Sequence, residues 1–202
     1  MFSESETIGV FQLESKGIRK VLGLLKPSLI SEINALLALY RPGPLKSGMV
    51  DDFVNRKLGI EKIYYPHELL AKVLGETYGV IVYQEQVMKI AQELANYSLG
   101  LADLLRVSIS KKKEREMDLH LERFTLGCLK NNINSSQSKE IFDLLEKFAG
   151  YGFNKAHSVG YGTLTYNTAW LKANYYPLYL VILLSSDMED VEKMKSYISD
   201  CR

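Results

Sequence analysis

The chain has 202 residues, 47% of them apolar, with 25 basic side chains against 24 acidic ones. This is enough to bury a real core and excludes a disordered polyelectrolyte, and it leaves no whole-molecule field to draw the protein to nucleic acid or membrane, so any polyanion site must be a local patch. Cys128 and Cys201 stand far apart, and His67, His120 and His157 never fall at metal-ligand spacing with them, which predicts reduced thiols and no bound metal.

The opening MFSESETIGVFQLES has no polar tail, and the last predicted helix, Val191 to Arg202, simply stops, so the chain reads as a piece excised from a longer protein. Apolar residues at helical spacing predict helices in Val10 to Leu25 and Leu29 to Leu39, each turning its stripe to the core. RPGP at Arg41 to Pro44 breaks the pattern and reads as a rigid loop, with Ser47 as the cap of the next helix. A helix is expected at Leu69 to Leu74. The one convincing strand, Val80 to Tyr83, is β-branched and aromatic, with Lys62 to Tyr65 as its expected hairpin partner. Helical stripes resume at Val87 to Leu94, after Ser98 as a cap, at Met117 to Leu129, at Glu140 to Phe148 and at Tyr161 to Tyr175. Pro177 suits a first helical turn, and Asp187 suits the cap of the final helix. The longest apolar run, Leu178 to Leu184, is far below the roughly 20 residues of a membrane span, and no signal pattern precedes it, so a cytoplasmic location is expected. The expected fold is mainly α, about ten helices with a small β element, in a single domain or in two subdomains joined near residues 97–110.

Four segments carry candidate chemistry. The YRPGPLKSG loop presents Arg41 and Lys46 on pre-organised backbone, where a plain interhelix connector is the simpler alternative. Gln84, Glu85 and Gln86 follow the strand and open a helix; Glu85 is the acid placed to meet a basic site or a metal, or else only a favourable charge at a helix start. Arg106, fixed in an apolar helix, precedes Lys111, Lys112 and Lys113, a run that suits a phosphate backbone or triphosphate but is more commonly a solvated helix face. Last comes FAGYGFNKAHS, in which Gly150 and Gly152 are expected to take positive φ around Tyr151, and the next helix opens with Lys155 and His157 beside free N–H groups that favour anions. Its alternative is a junction whose aromatics fill core while Lys155 is solvated. Nucleophile elbows, Walker loops, zinc-protease helices and Asp-x-Asp pairs are all missing from the sequence, and the adjacent Asp51 and Asp52 point about 100° apart on a helix.

Taken in order, GVFQLES, LALYRPGPLKSGMVDDF, YGVIVYQEQVMKIAQ, ADLLR…SKKK and FAGYGFNKAHSVGY resemble the alpha subunit of bacterial DNA polymerase III, the C-family replicative polymerase, and the resemblance runs almost end to end. The part matched is the fingers domain. The resemblance implies DNA-templated addition of deoxynucleotides to a primer 3′ end, with Mg2+ held by palm aspartates outside this chain. It implies template-primer DNA, deoxynucleoside triphosphates, the sliding clamp and other replisome subunits as partners of the full protein, and no membrane. By motif position Arg106, Lys111, Lys112, Lys113 and Lys155 look like phosphate contacts, Tyr151 and His157 like the nascent-pair face, with His157 crowding the sugar 2′ position, and Arg41, Lys46, Gln84 and Glu85 like cleft lining. Val107 and Ser110 depart from the family pattern, which has a second arginine and a glycine there. A non-catalytic helical module that binds DNA or a partner is the alternative.

Overall fold

The computed structural model describes residues 1–111 and 113–201, with no side chain described at 114, 148 or 149. Among the described residues the α-helices are α1 Lys16–Leu25, α2 Ile30–Leu39, α3 Pro42–Lys46, α4 Met49–Lys57, α5 Leu69–Leu74, α6 Gln84–Ala95, α7 Leu99–Ser110, α8 Glu114–Lys130, α9 Ser135–Ala149, α10 Lys155–Asn174, α11 Tyr176–Ser186 and α12 Val191–Asp200, with a 3-10 turn at Gly75–Thr77 after α5. The mainly α expectation holds, with twelve helices where about ten were anticipated. No helix among the described residues is long and apolar enough to cross a membrane.

The chain forms two compact units, Met1–Leu37 with His157–Arg202, and Ala38–Ala156. The core of the second lies among α5 to α9, where Ile90 and Leu94 of α6, Leu105 of α7, Phe124 of α8 and Leu145 of α9 are all within 1% of complete burial. Phe124 sets its ring 5.6 Å from that of Phe142, a spacing at which tilted rings attract. In the first unit α1 buries Ile18, Leu22 and Leu25, one face at i, i+4 and i+7, and ends where Lys26 turns left-handed.

Helix ends show where local chemistry decided. Ser98 caps α7 by accepting the Leu101 N–H. The cap of α12 is Asp190, which accepts from Lys193 N–H, and not Asp187; the latter pairs its carboxylate with Lys193 Nζ and Tyr197 Oη. RPGP is not a loop but the start of α3, since Pro42 and Pro44 sit in the first turn, whose N–H groups need no intrahelical acceptor. Ser47 closes that helix at its C-terminus and does not begin the next.

Two expectations fail for instructive reasons. Val80 to Tyr83 is extended but makes no hairpin with Lys62 to Tyr65; its one bridge is parallel, Tyr83 to Phe153. The buried Gln86 Oε1 accepts both the Val82 and the Tyr83 N–H, at 2.8 and 2.9 Å, so those donors are spent on a side chain and no ladder grows. In α10 the buried face is Ser158, Gly162, Thr165, Ala169 and Lys172, while Tyr161, Leu164, Trp170 and Leu171, and Tyr175 just after the helix, are exposed. Close approach explains the inversion: a Cβ on Gly162 would come 1.7 Å from Asn34 Oδ1 of α2, so small residues face inward and large ones cannot. Lys172 is accommodated because Glu6 O, Ile8 O and the Asp200 carboxylate all take its protons.

Candidate functional site

The candidate residues of the second unit converge on one clasp, in which the extended segment before α6 grips the turn before α10. Phe153 N–H donates to Val82 O and Gln84 N–H to Phe153 O, both at 2.9 Å. Gln84 Nε2 adds a bond to Gly152 O. Behind the clasp, Gln86 donates to Thr77 Oγ1 at 2.8 Å and to Val73 O at 3.3 Å, so one buried side chain ties the extended segment to the 3-10 turn below it. Gly150 does not adopt the expected positive φ.

Arg41, at the start of α3, reaches the same turn. Its Nε donates to Ala38 O and its Nη2 to Tyr151 O, at 2.7 and 2.6 Å, while the guanidinium lies 4.8 Å from the centre of the Phe153 ring. Burial pulls its pKa below the ordinary guanidinium value. Tyr151 lies against α3 because position 43 is glycine; a Cβ there would come 2.7 Å from two ring carbons. Lys46 is exposed at the end of that short helix.

Lys155 opens α10 between two carboxylates. Its backbone N–H lies 3.0 and 3.1 Å from the Glu85 oxygens, and Asn154 Nδ2 donates to the same group. The helix start expected to offer a free N–H to an anion therefore already holds one, the protein's own, which satisfies the macrodipole. The Lys155 ammonium pairs with Glu76 and stands 5.5 Å from the centre of the Tyr83 ring. Arg106 joins through Gln84, donating from Nη1 to its Oε1 at 3.3 Å, while Nε and Nη2 hold Asp103 at 2.8 Å.

Arg41, Gln84, Glu85, Arg106, Tyr151 and Lys155 thus form one linked group. Lys111 is exposed just beyond α7, and Lys113, also exposed and just before α8, pairs with Glu116 of that helix. Lys112 lies outside the described residues. His157 belongs to the first unit, exposed on α10 with its ring 4.4 Å from that of Tyr161. Sequence reasoning missed Glu76 and Asn154, and gave no role to Gln86. QEQ alone hinted at the last, since a glutamine three residues after the residue preceding a helix can bond back to it. Nothing in GET announces that Glu76 meets a lysine 79 positions later. Among the described residues no three of His, Cys, Asp and Glu come together as a possible metal site. Chemically, the clasp brings two guanidinium groups and an ammonium onto one hydrogen-bonded frame, Arg41 held by backbone carbonyls, Arg106 by Asp103 and Lys155 by Glu76.

Comparison with known proteins gives consistent matches. Residues 1–132 match the family model of the bacterial DNA polymerase III alpha subunit finger domain. DNA polymerase III subunit alpha of Pseudomonas fluorescens is 50% identical over 100% of this chain, that of Escherichia coli (strain K12) 49% over 100%, and that of Vibrio cholerae 47% over 98%. The chain spans only 18% of the length of each of these relatives.

Proposed function

Because the chain belongs to the bacterial DNA polymerase III alpha subunit family, we propose that it is the fingers part of a replicative DNA polymerase and holds the incoming deoxynucleoside triphosphate and the template-primer. In the full protein a primer 3′-hydroxyl attacks the α-phosphate of the bound nucleotide and pyrophosphate leaves, a reaction in which most of the catalytic work is positioning and charge stabilisation. Among the described residues no three His, Cys, Asp or Glu side chains gather as a metal site; in this reading the Mg2+ ions of that reaction are held by residues outside this chain, and this part supplies charge neutralisation. The reading is carried by the convergence of Arg41, Arg106 and Lys155 on one hydrogen-bonded clasp, in which each of the three cations touches the paired segments. Tyr151 and His157 serve the nascent pair, His157 by bulk against a 2′-hydroxyl. Lys111, Lys112 and Lys113 track the DNA backbone. The full protein works in the cytoplasm with the sliding clamp and other replisome subunits.

The test is Arg106→Ala in the full-length polypeptide. A guanidinium bonded to a triphosphate is worth about 1.5–3 kcal/mol, so KM for the deoxynucleotide should rise about tenfold or more in single-nucleotide incorporation. A non-catalytic helical module predicts no incorporation to lose. An active enzyme with unchanged KM refutes the assignment of Arg106.

A further inference from the structure

The two ion pairs that hold Arg106 and Lys113 are local, each to an acid three residues away in the chain. The pair that holds Lys155 differs, because Glu76 belongs to another element and is brought there by the fold. Its backbone is firmly fixed. Thr77, next to it and 1% exposed, donates to Leu74 O and Val80 O, and Gln86 anchors the Thr77 hydroxyl from the frame that also orders Val82 and Tyr83. The Glu76 side chain, by contrast, is 40% exposed, as is that of Lys155. A fixed backbone with a solvent-facing carboxylate gives a counter-ion that is always present yet weakly held, since exposed pairs are worth only about 0.2–1 kcal/mol.

The backbone and the ammonium of Lys155 therefore have separate anions. Glu85 satisfies the N–H and secures the start of α10, whereas Glu76 occupies the ammonium alone. Moving Glu85 would unfasten the helix; moving Glu76 would release only the charge. We propose that Glu76 is a built-in phosphate surrogate, a displaceable counter-ion that parks the Lys155 ammonium against the clasp until a triphosphate takes its place. This rests on the proposed contact between Lys155 and the nucleotide. Glu76 then acts through Lys155 as a positioning residue. It raises the threshold at which an anion captures the lysine by the small amount an exposed pair is worth, which the several charges of a triphosphate readily overcome.

The experiment measures dATP binding to the full-length polypeptide on a dideoxy-terminated primer–template, with four proteins: parent, Glu76→Gln, Lys155→Met and the double variant. Glutamine keeps the shape of Glu76, and methionine keeps the stem of Lys155 over Tyr83, so neither change opens the core. Lys155→Met should weaken binding about tenfold. Glu76→Gln should tighten it about two- to fivefold, the value of an exposed pair removed, and should have no effect in the Lys155→Met background. Lys155→Met that weakens binding while Glu76→Gln leaves it unchanged or weakens it overturns the counter-ion role and leaves the nucleotide reading standing. Tightening by Glu76→Gln that survives in the double variant also overturns it, since the effect would not pass through Lys155. Unchanged binding by Lys155→Met removes the nucleotide contact itself, and the proposal with it.

Discussion

Two helical glycines should respond to alanine with opposite signs. Gly127 lies inside α8, where alanine is intrinsically better than glycine by about 1 kcal/mol. A Cβ there would nevertheless come 2.2 Å from Ala95 O and 2.8 Å from Ala95 C and Cα, the end of α6. These are backbone atoms that cannot rotate away. The two helices would have to separate by about 1 Å in a region where Phe124 and Cys128 are completely buried, and overpacking of that kind costs about 1–3 kcal/mol. The same junction carries Asn131 Nδ2 to Leu94 O and Asn96 Nδ2 to Asn131 Oδ1, both 2.9 Å, which a separation would stretch at about 1 kcal/mol each. The net expectation for Gly127→Ala, after the propensity gain is subtracted, is a loss of about 2–4 kcal/mol. Gly160 of α10 has nothing within 4 Å of its Cβ position, so Gly160→Ala should gain close to the full propensity difference, about 1 kcal/mol. Urea denaturation of the 202-residue polypeptide, followed by far-UV circular dichroism, reads both. With a slope of about 2 kcal/mol/M, the Gly127→Ala midpoint should fall by about 1–2 M and the Gly160→Ala midpoint should rise by about 0.5 M. A Gly127→Ala protein as stable as the parent would refute the close packing of α8 on α6.

Gln86→Leu should cost about 2–4 kcal/mol, because it strands the Val82 and Tyr83 N–H groups in the interior; denaturant titration checks it, and a loss under 1 kcal/mol would show that water replaces the amide. Lys172→Met should cost about 2–4 kcal/mol by leaving the Asp200 carboxylate and two carbonyls short of a donor, and Asp200→Asn in the same protein should recover part of the loss in a double-mutant cycle. Burial and Arg123 hold the His120 pKa below its ordinary value of 6.5, against the pull of Glu116. The unfolded chain then takes up the proton first, so stability is full above about pH 6.5 and declines as pH falls below it. His120→Gln should flatten that part of the stability–pH profile, and an unchanged slope would assign it to other groups.

Local chemistry written in the sequence determined most of the helices. Apolar spacing marked α1, α2, α6, α8 and α9, Ser98 and Pro177 marked starts, and five ordered motifs marked the family, because each of these signals depends on residues within a few positions of one another. Signals that depend on what lies across the fold were not legible. Periodicity named α10 a helix but pointed its aromatic face inward, whereas the close approach of Asn34 to Gly162 gave the interior to small residues. Residue types singled out Arg41, Glu85, Arg106, Tyr151 and Lys155. Only the tertiary structure decided that they share one clasp, that Gln86 takes up strand donors, and that Glu76 holds Lys155 from 79 residues away. The physical reason is range. Helix propensity and capping act over a turn of chain, but an ion pair or a spent hydrogen-bond donor exists only once folding has brought distant segments within about 3 Å.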